Sequence, residues 1–160
     1  MAYEFYMTIE GTTQGKFKGE STRGAHKDKA PCIQLAYGVQ SPRDVATGMA
    51  SGKRQHQPFV VVKEIGASTP QVFQACVTNE VLKSVLFEFI KTTAEGKEEV
   101  YYTMKLTNAT VSGQRQYTET AAKHSEVNDT HELEEVSFTF QQIDIENKLA
   151  KTASSDSWAK

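Results

Sequence analysis

Four histidines (His26, His56, His124, His131) and two cysteines (Cys32, Cys76) are the side chains of this sequence best suited to ligate metal or to act as base or nucleophile. His124 and His131 bracket Glu126 and Asp129 in KHSEVNDTH, but neither an HExxH nor a facial-triad spacing is present, so the stretch reads as a solvated loop without metal. His56 lies in SGKRQHQPFVVVKEIGASTP, residues 51–70, close in sequence to Arg54, Ser41 and Ser51. No GxSxG elbow supplies a nucleophile for it, so it reads as a surface or hydrogen-bonding residue. GASTP opens a helix without the Gly-x-x-x-x-Gly-Lys spacing of a phosphate loop and offers at most a weak anion site. Cys32 and Cys76 fall in no CxxC or His-paired spacing and read as small buried hydrophobes, with a disulfide between them left open. The expectation is a chain with no catalytic residues, no cofactor and no metal.

The elements around these residues are mostly strands. In YEFYMTIE, Tyr3, Phe5, Met7 and Ile9 alternate with a more polar face, the period of a half-buried strand. The glycine-rich, polar GTTQGKFKGESTRGAHKDKAP reads as loop with a short strand near Phe17, and CIQLAYGV as a second strand. QSPRDVATGMASGKRQHQP follows, a long aperiodic stretch of the kind that is usually functional or disordered. FVVVKEI is β-branched and continuous, as in a strand buried on both faces or nearly so. Thr69 as cap and Pro70 at the first turn predict a helix over about 70–78, with Val72, Phe73, Cys76 and Val77 on its inner face.

The second half alternates throughout. VLKSVLFEFIKT and VYYTMKLTNATV, joined by AEGKEE, predict a hairpin with Val85, Phe87 and Phe89 inward on one arm and Val100, Tyr102, Met104 and Leu106 on the other. The aromatics Phe87, Phe89, Tyr101 and Tyr102 read as core rather than as a stacking surface for bases. In HELEEVSFTFQQIDIEN the inward phase slips by one residue around Gln141 and Gln142, which predicts a β-bulge. KLAKTASSDSWAK reads as a polar tail, residues 148–160, disordered or ordered only against a partner, after a domain spanning 1–147.

Composition narrows the class. A chain of 160 residues makes one ordinary domain, and a net charge of -2 with no basic stripe argues against nucleic acid as partner. No apolar stretch reaches the roughly 18 to 20 residues that a membrane helix needs, and MAYEFYMTIEG lacks the pattern of a signal peptide, so folding in a cytoplasm is expected. One helix on about seven strands predicts a mainly β fold, an antiparallel barrel or sandwich with a flanking helix. FVVVKEI and LFEFI carry more apolar surface than a small wet-sided barrel uses, which favours self-association.

The order MAYEFYMTIEG, GESTRGAH, CIQLAYGVQSP, GKRQHQPFVVVKEIGASTPQVFQA and LEEVSFTFQQIDIE resembles the Hcp family, the tube proteins of type VI secretion systems. The resemblance covers about residues 3–146, and its most specific piece is G-K-R-x-H-x-P, an apolar strand, then S-T-P and a helix. It implies an antiparallel β-barrel of two sheets with one flanking α-helix, six copies closing a ring and rings stacking into a hollow tube. It also implies a sheath and a spike as partners, effectors in the lumen, and export by the machine itself without a signal peptide. By position, the loop from Gln40 to Pro58 corresponds to the family's extended loop, so Arg43, Asp44, Lys53, Arg54 and His56 are its ring-stacking candidates. Anchoring on Gly38 puts Ala36 where the family often carries a small polar residue facing the lumen, a departure from the pattern. Two other readings stand beside this one: a monomeric barrel holding a small apolar ligand, and an enzyme using His56 or the His124 to His131 segment.

Overall fold

The computed structural model describes residues 4–19, 28–120 and 130–158, with twelve strands and one helix among them. In order these are β1 (Glu4–Gly11), β2 (Gly15–Lys16), β3 (Ala30–Cys32), β4 (Gln34–Ala36), β5 (Val39–Gln40), β6 (Gln55–His56) and β7 (Phe59–Glu64). There follow α1 (Thr69–Thr78), β8 (Leu82–Thr92), β9 (Glu98–Thr120), β10 (Thr130–Thr139), β11 (Gln142–Asn147) and β12 (Thr152–Ser157). His26, His124, Glu126 and Asp129 lie outside the described residues, as does the side chain of His131.

All pairings are antiparallel, as the hairpin spacing predicts. β9 is the spine: its first half pairs β8 on one side and β11 on the other, and its second half pairs β10. β8 pairs β1 and β10 pairs β7. The far side is spanned by β3 and β4, the first paired with β1 and the second with β7, and between them the Ile33 amide donates to Val62 at 2.8 Å. The two sheets are thus linked on both sides, which gives the barrel-like wrap expected.

Alternation fills the inside. Phe59, Val61, Val85, Phe87, Leu106, Val136 and Phe138 are fully buried, and the rings of Phe59 and Phe87 stack at 4.8 Å with Phe138 edge-on to Phe87 at 6.4 Å. The interior that an apolar ligand would need is occupied by these side chains. β7 buries Phe59, Val61 and Lys63 on one face and only half-buries Val60 and Val62 on the other, so it is less enclosed than its continuous apolar run suggests.

The phase slip at Gln141 and Gln142 has a different origin from the bulge expected there. Thr139 pairs Thr110 and Gln142 pairs Thr107, so equal numbers of residues are passed on both strands and none is extra. The chain instead turns a corner between β10 and β11. Asn108 of β9, in the left-handed region at φ 50° that asparagine tolerates, bonds the Gln141 side chain across that corner at 3.1 Å. The irregularity in the ladder lies nearby, where Ser137 pairs Gly113 and Phe138 pairs Val111, leaving Ser112 as the extra residue of β9.

Two further expectations change. The helix begins one residue earlier than expected and its inner stripe is Thr69, Val72 and Ala75, while Phe73 and Val77 are exposed. The reason is the anchor at its first turn. The Thr69 hydroxyl does not cap the helix; it accepts the Gly66 amide at 3.0 Å and donates to the buried Glu134 carboxylate at 3.0 Å, which sets the helix rotation. The tail expected to be disordered, or ordered only against a partner, contains β12, paired residue by residue with β11 of the same chain from Gln142 opposite Ser157 to Asn147 opposite Thr152. Its strand character comes from that open edge and not from apolar alternation.

Candidate functional site

The stretch between β4 and β7 builds an arm. β5 and β6 pair as Val39 with His56 and Gln40 with Gln55, and the ladder continues outward through Ser51 donating to Pro42 at 2.9 Å and a bridge between Arg43 and Ala50. Asp44 makes the end turn: its carboxylate accepts the Ala46 amide at 2.9 Å, its carbonyl accepts Gly48 at 2.7 Å, and Gly48 supplies the φ of 73°. The aperiodic stretch is therefore a folded ribbon. It carries Val45 and Met49 at 102% and 68% exposure near its tip, with no core behind them.

The candidate residues divide between the tip and the root. Arg43 and Asp44 are exposed near the tip, with Asp44 engaged in the turn, and Lys53 is exposed next to Arg54 on the returning leg. Ala36 is exposed on β4, opposite Val60 of β7. Arg54 and His56 come together at the root, two residues apart on the returning leg and so on one face of it. Both grip Asp156 of β12, which sequence reasoning missed. The Arg54 guanidinium donates through Nε to Asp156 Oδ2 at 2.5 Å and through Nη2 to the Ser157 carbonyl at 2.5 Å. His56 Nε2 meets the same carboxylate oxygen at 2.7 Å, and Nδ1 meets the Tyr37 hydroxyl at 2.6 Å.

Rings enclose this chain of bonds. The His56 side chain is 3% exposed, with Phe140 and Trp158 edge-on at 5.3 and 5.1 Å and Tyr37 stacked at 6.1 Å. The Arg54 hydrogen bond, with His56 and the Ser157 amide adding to it, holds the Asp156 carboxyl down at about 2, so it is ionised throughout the neutral range. Burial, with the Asp156 charge beside it, pushes the Tyr37 phenol up. A cleft of about 300 Å³ lies alongside, walled by Val39, Ile143 and Ile145. A hydroxyl, an imidazole and a carboxylate in line have the order of a nucleophile relay, but here the phenol is harder to ionise than usual and both imidazole nitrogens are engaged within the chain. The arrangement is a clasp that holds the arm to the C-terminal strand. Beside Arg54 and His56 themselves, the signals for it in the sequence are an aromatic residue just before the arm, Tyr37, and the lone tryptophan of a polar tail, Trp158.

Cys32 and Cys76 are both half-buried and are not joined in a disulfide. Among the described residues, no group of three or more His, Cys, Asp or Glu side chains is placed to hold a metal ion, and no helix is long and apolar enough to cross a membrane.

Comparison with known proteins matches this architecture along nearly its whole length. The profile of a family described as type VI secretion system effector, Hcp, matches residues 6–146. The major exported protein of Pseudomonas aeruginosa is 30% identical, the alignment covering 99% of this chain and 96% of the relative. A crystal structure of an Hcp protein superposes with a TM-score of 0.88 at 28% identity, covering 98% of this chain and all of the other. Hcp1 of Escherichia coli EAEC 042 gives 0.86 at 26% identity, covering 98% and 99% of the two chains. The secreted protein Hcp3 of Pseudomonas aeruginosa gives 0.79 at 26%, with the same coverage. Strand order, arm and flanking helix together with these likenesses lead to one conclusion: the chain belongs to the Hcp family of type VI secretion proteins.

Proposed function

We propose that this protein is the structural subunit of a type VI secretion inner tube, six copies closing a ring and rings stacking into a hollow tube. On this reading the tube is assembled in the cytoplasm, expelled when a surrounding sheath contracts, tipped by a spike, and loaded with effectors in its lumen. The observation that carries it is the arm: an ordered ribbon that ends in Val45 and Met49, two apolar side chains left exposed. A family member with such a tip gains by burying it against another copy, since exposed apolar clusters on an ordered element mark contact surfaces. Ile33, Phe73 and Val77 on the body are exposed as well, apolar surface that neighbouring subunits in a ring would cover. Export by the machine agrees with the relative named a major exported protein.

The test is the state of the purified protein. Multi-angle light scattering at tens of micromolar should give the mass of six chains, and negative-stain microscopy should show annuli that pile into short tubes as concentration rises. Monomer alone with no annuli would overturn the proposal.

A further inference from the structure

The arm meets the barrel through a short ladder. β5 and β6 share two residue pairs, and a two-stranded ribbon of that size is marginal in water by itself. What holds it in place must come from elsewhere, and the contacts at its root come from three directions. Tyr37, just before the outgoing leg, bonds His56 on the returning leg and so ties the two legs together. Arg54 and His56 converge on one carboxylate oxygen of Asp156, which belongs to β12, the edge strand beyond β11. β12 is in turn fixed at its end, where the Trp158 amide donates to the Gln141 carbonyl at 3.0 Å beside the corner of the barrel.

We propose that Asp156 is a positioning residue for the arm, fixing through Arg54 and His56 the angle at which the ribbon leaves the barrel and so its readiness to dock on another copy. The inference rests on the tube reading for its consequence, but the clasp itself is a property of the single chain. Arg54 and His56 act through Asp156 and need touch no neighbour to matter. The C-terminal strand, polar and poor in core contacts, then has a definite task, which is to present this carboxylate at the arm's root. Exchanging Asp156 for asparagine keeps the shape of the side chain while removing the charge on which both basic groups converge.

The experiment compares the full-length protein with Asp156→Asn, Asp156→Glu and Arg54→Gln, by microscopy of rings and tubes and by hydrogen exchange of backbone amides. In Asp156→Asn and Arg54→Gln, arm amides such as Gln57, which donates to Gly38 at 2.9 Å, should exchange about tenfold faster or more, the scale set by one lost charge-assisted hydrogen bond. Amides of β8 and β9 should not change, annuli should persist, and stacking into tubes should need a higher concentration. Asp156→Glu, which restores the carboxylate, should recover both arm protection and stacking. Wild-type arm exchange and stacking in Asp156→Asn would overturn the proposal, and so would faster exchange spread evenly over the barrel, which marks a general structural role. If the unmodified protein forms no tubes at all, the tube reading falls while arm exchange in the variants still decides the clasp.

Discussion

Lys63 and Glu134 meet at 2.7 Å with both side chains fully buried, facing each other across the pair β7 and β10. Glu134 also accepts from Thr69 at 3.0 Å and from the Gln114 amide at 2.6 Å, so one carboxylate gathers an ammonium, a helix terminus and two strands. A pair like this adds little over an apolar substitute, but losing one member leaves a buried charge without compensation. Glu134→Leu should therefore cost about 3 to 5 kcal/mol. Lys63→Met combined with Glu134→Leu should recover part of that, the remainder being about 1 kcal/mol for each of the Thr69 and Gln114 donors left without an acceptor. Urea denaturation at one fixed protein concentration, needed because assembly shifts apparent stability, measures both. A double variant no more stable than the single one would refute this account of the pair.

Among the elements, the hairpin of β8 and β9 turns at Gly96, whose φ of 82° lies in the left-handed region while any side chain placed there would point into open space. Conformation alone is penalised there, so Gly96→Val should cost about 1 to 2 kcal/mol and Gly96→Asn less, read as shifts of melting temperature. Equal shifts for the two would argue against it. This hairpin is legible in the sequence because both of its strands alternate and a glycine marks the turn. The helix is legible from Ser68, Thr69 and Pro70, but its rotation is not, since that depends on Glu134, distant in sequence. β12 gives no signal: TASSDS has no apolar face, and its pairing is imposed by the open edge of β11. The arm's loop is visible as a break in periodicity, and Arg54 and His56 stand out within it as neighbouring basic side chains. Their partner Asp156 is hidden, because a carboxylate in a polar tail looks like any other until the fold brings it about one hundred residues back along the chain.

For the molecule as a whole, the separation between a filled core and an uncovered arm divides folding from assembly. Replacing Val45 and Met49 together by lysine touches nothing buried, so barrel stability should stay within about 0.5 kcal/mol while tubes no longer form. Chemical denaturation and microscopy on the same preparation test both halves, and tubes that persist would remove the tip from the stacking contact. β9, the spine shared by both sheets, carries a consequence of another kind. Its partners β8 and β10 are its neighbours in sequence, whereas β1 pairs across to β8 from more than seventy residues away, and β7 reaches β10 from a similar distance. Local loops close at lower entropic cost than long ones. On that ground the meander of β8, β9 and β10 is expected to form first, the N-terminal strand, the arm and β7 joining a scaffold that the second half of the chain has raised.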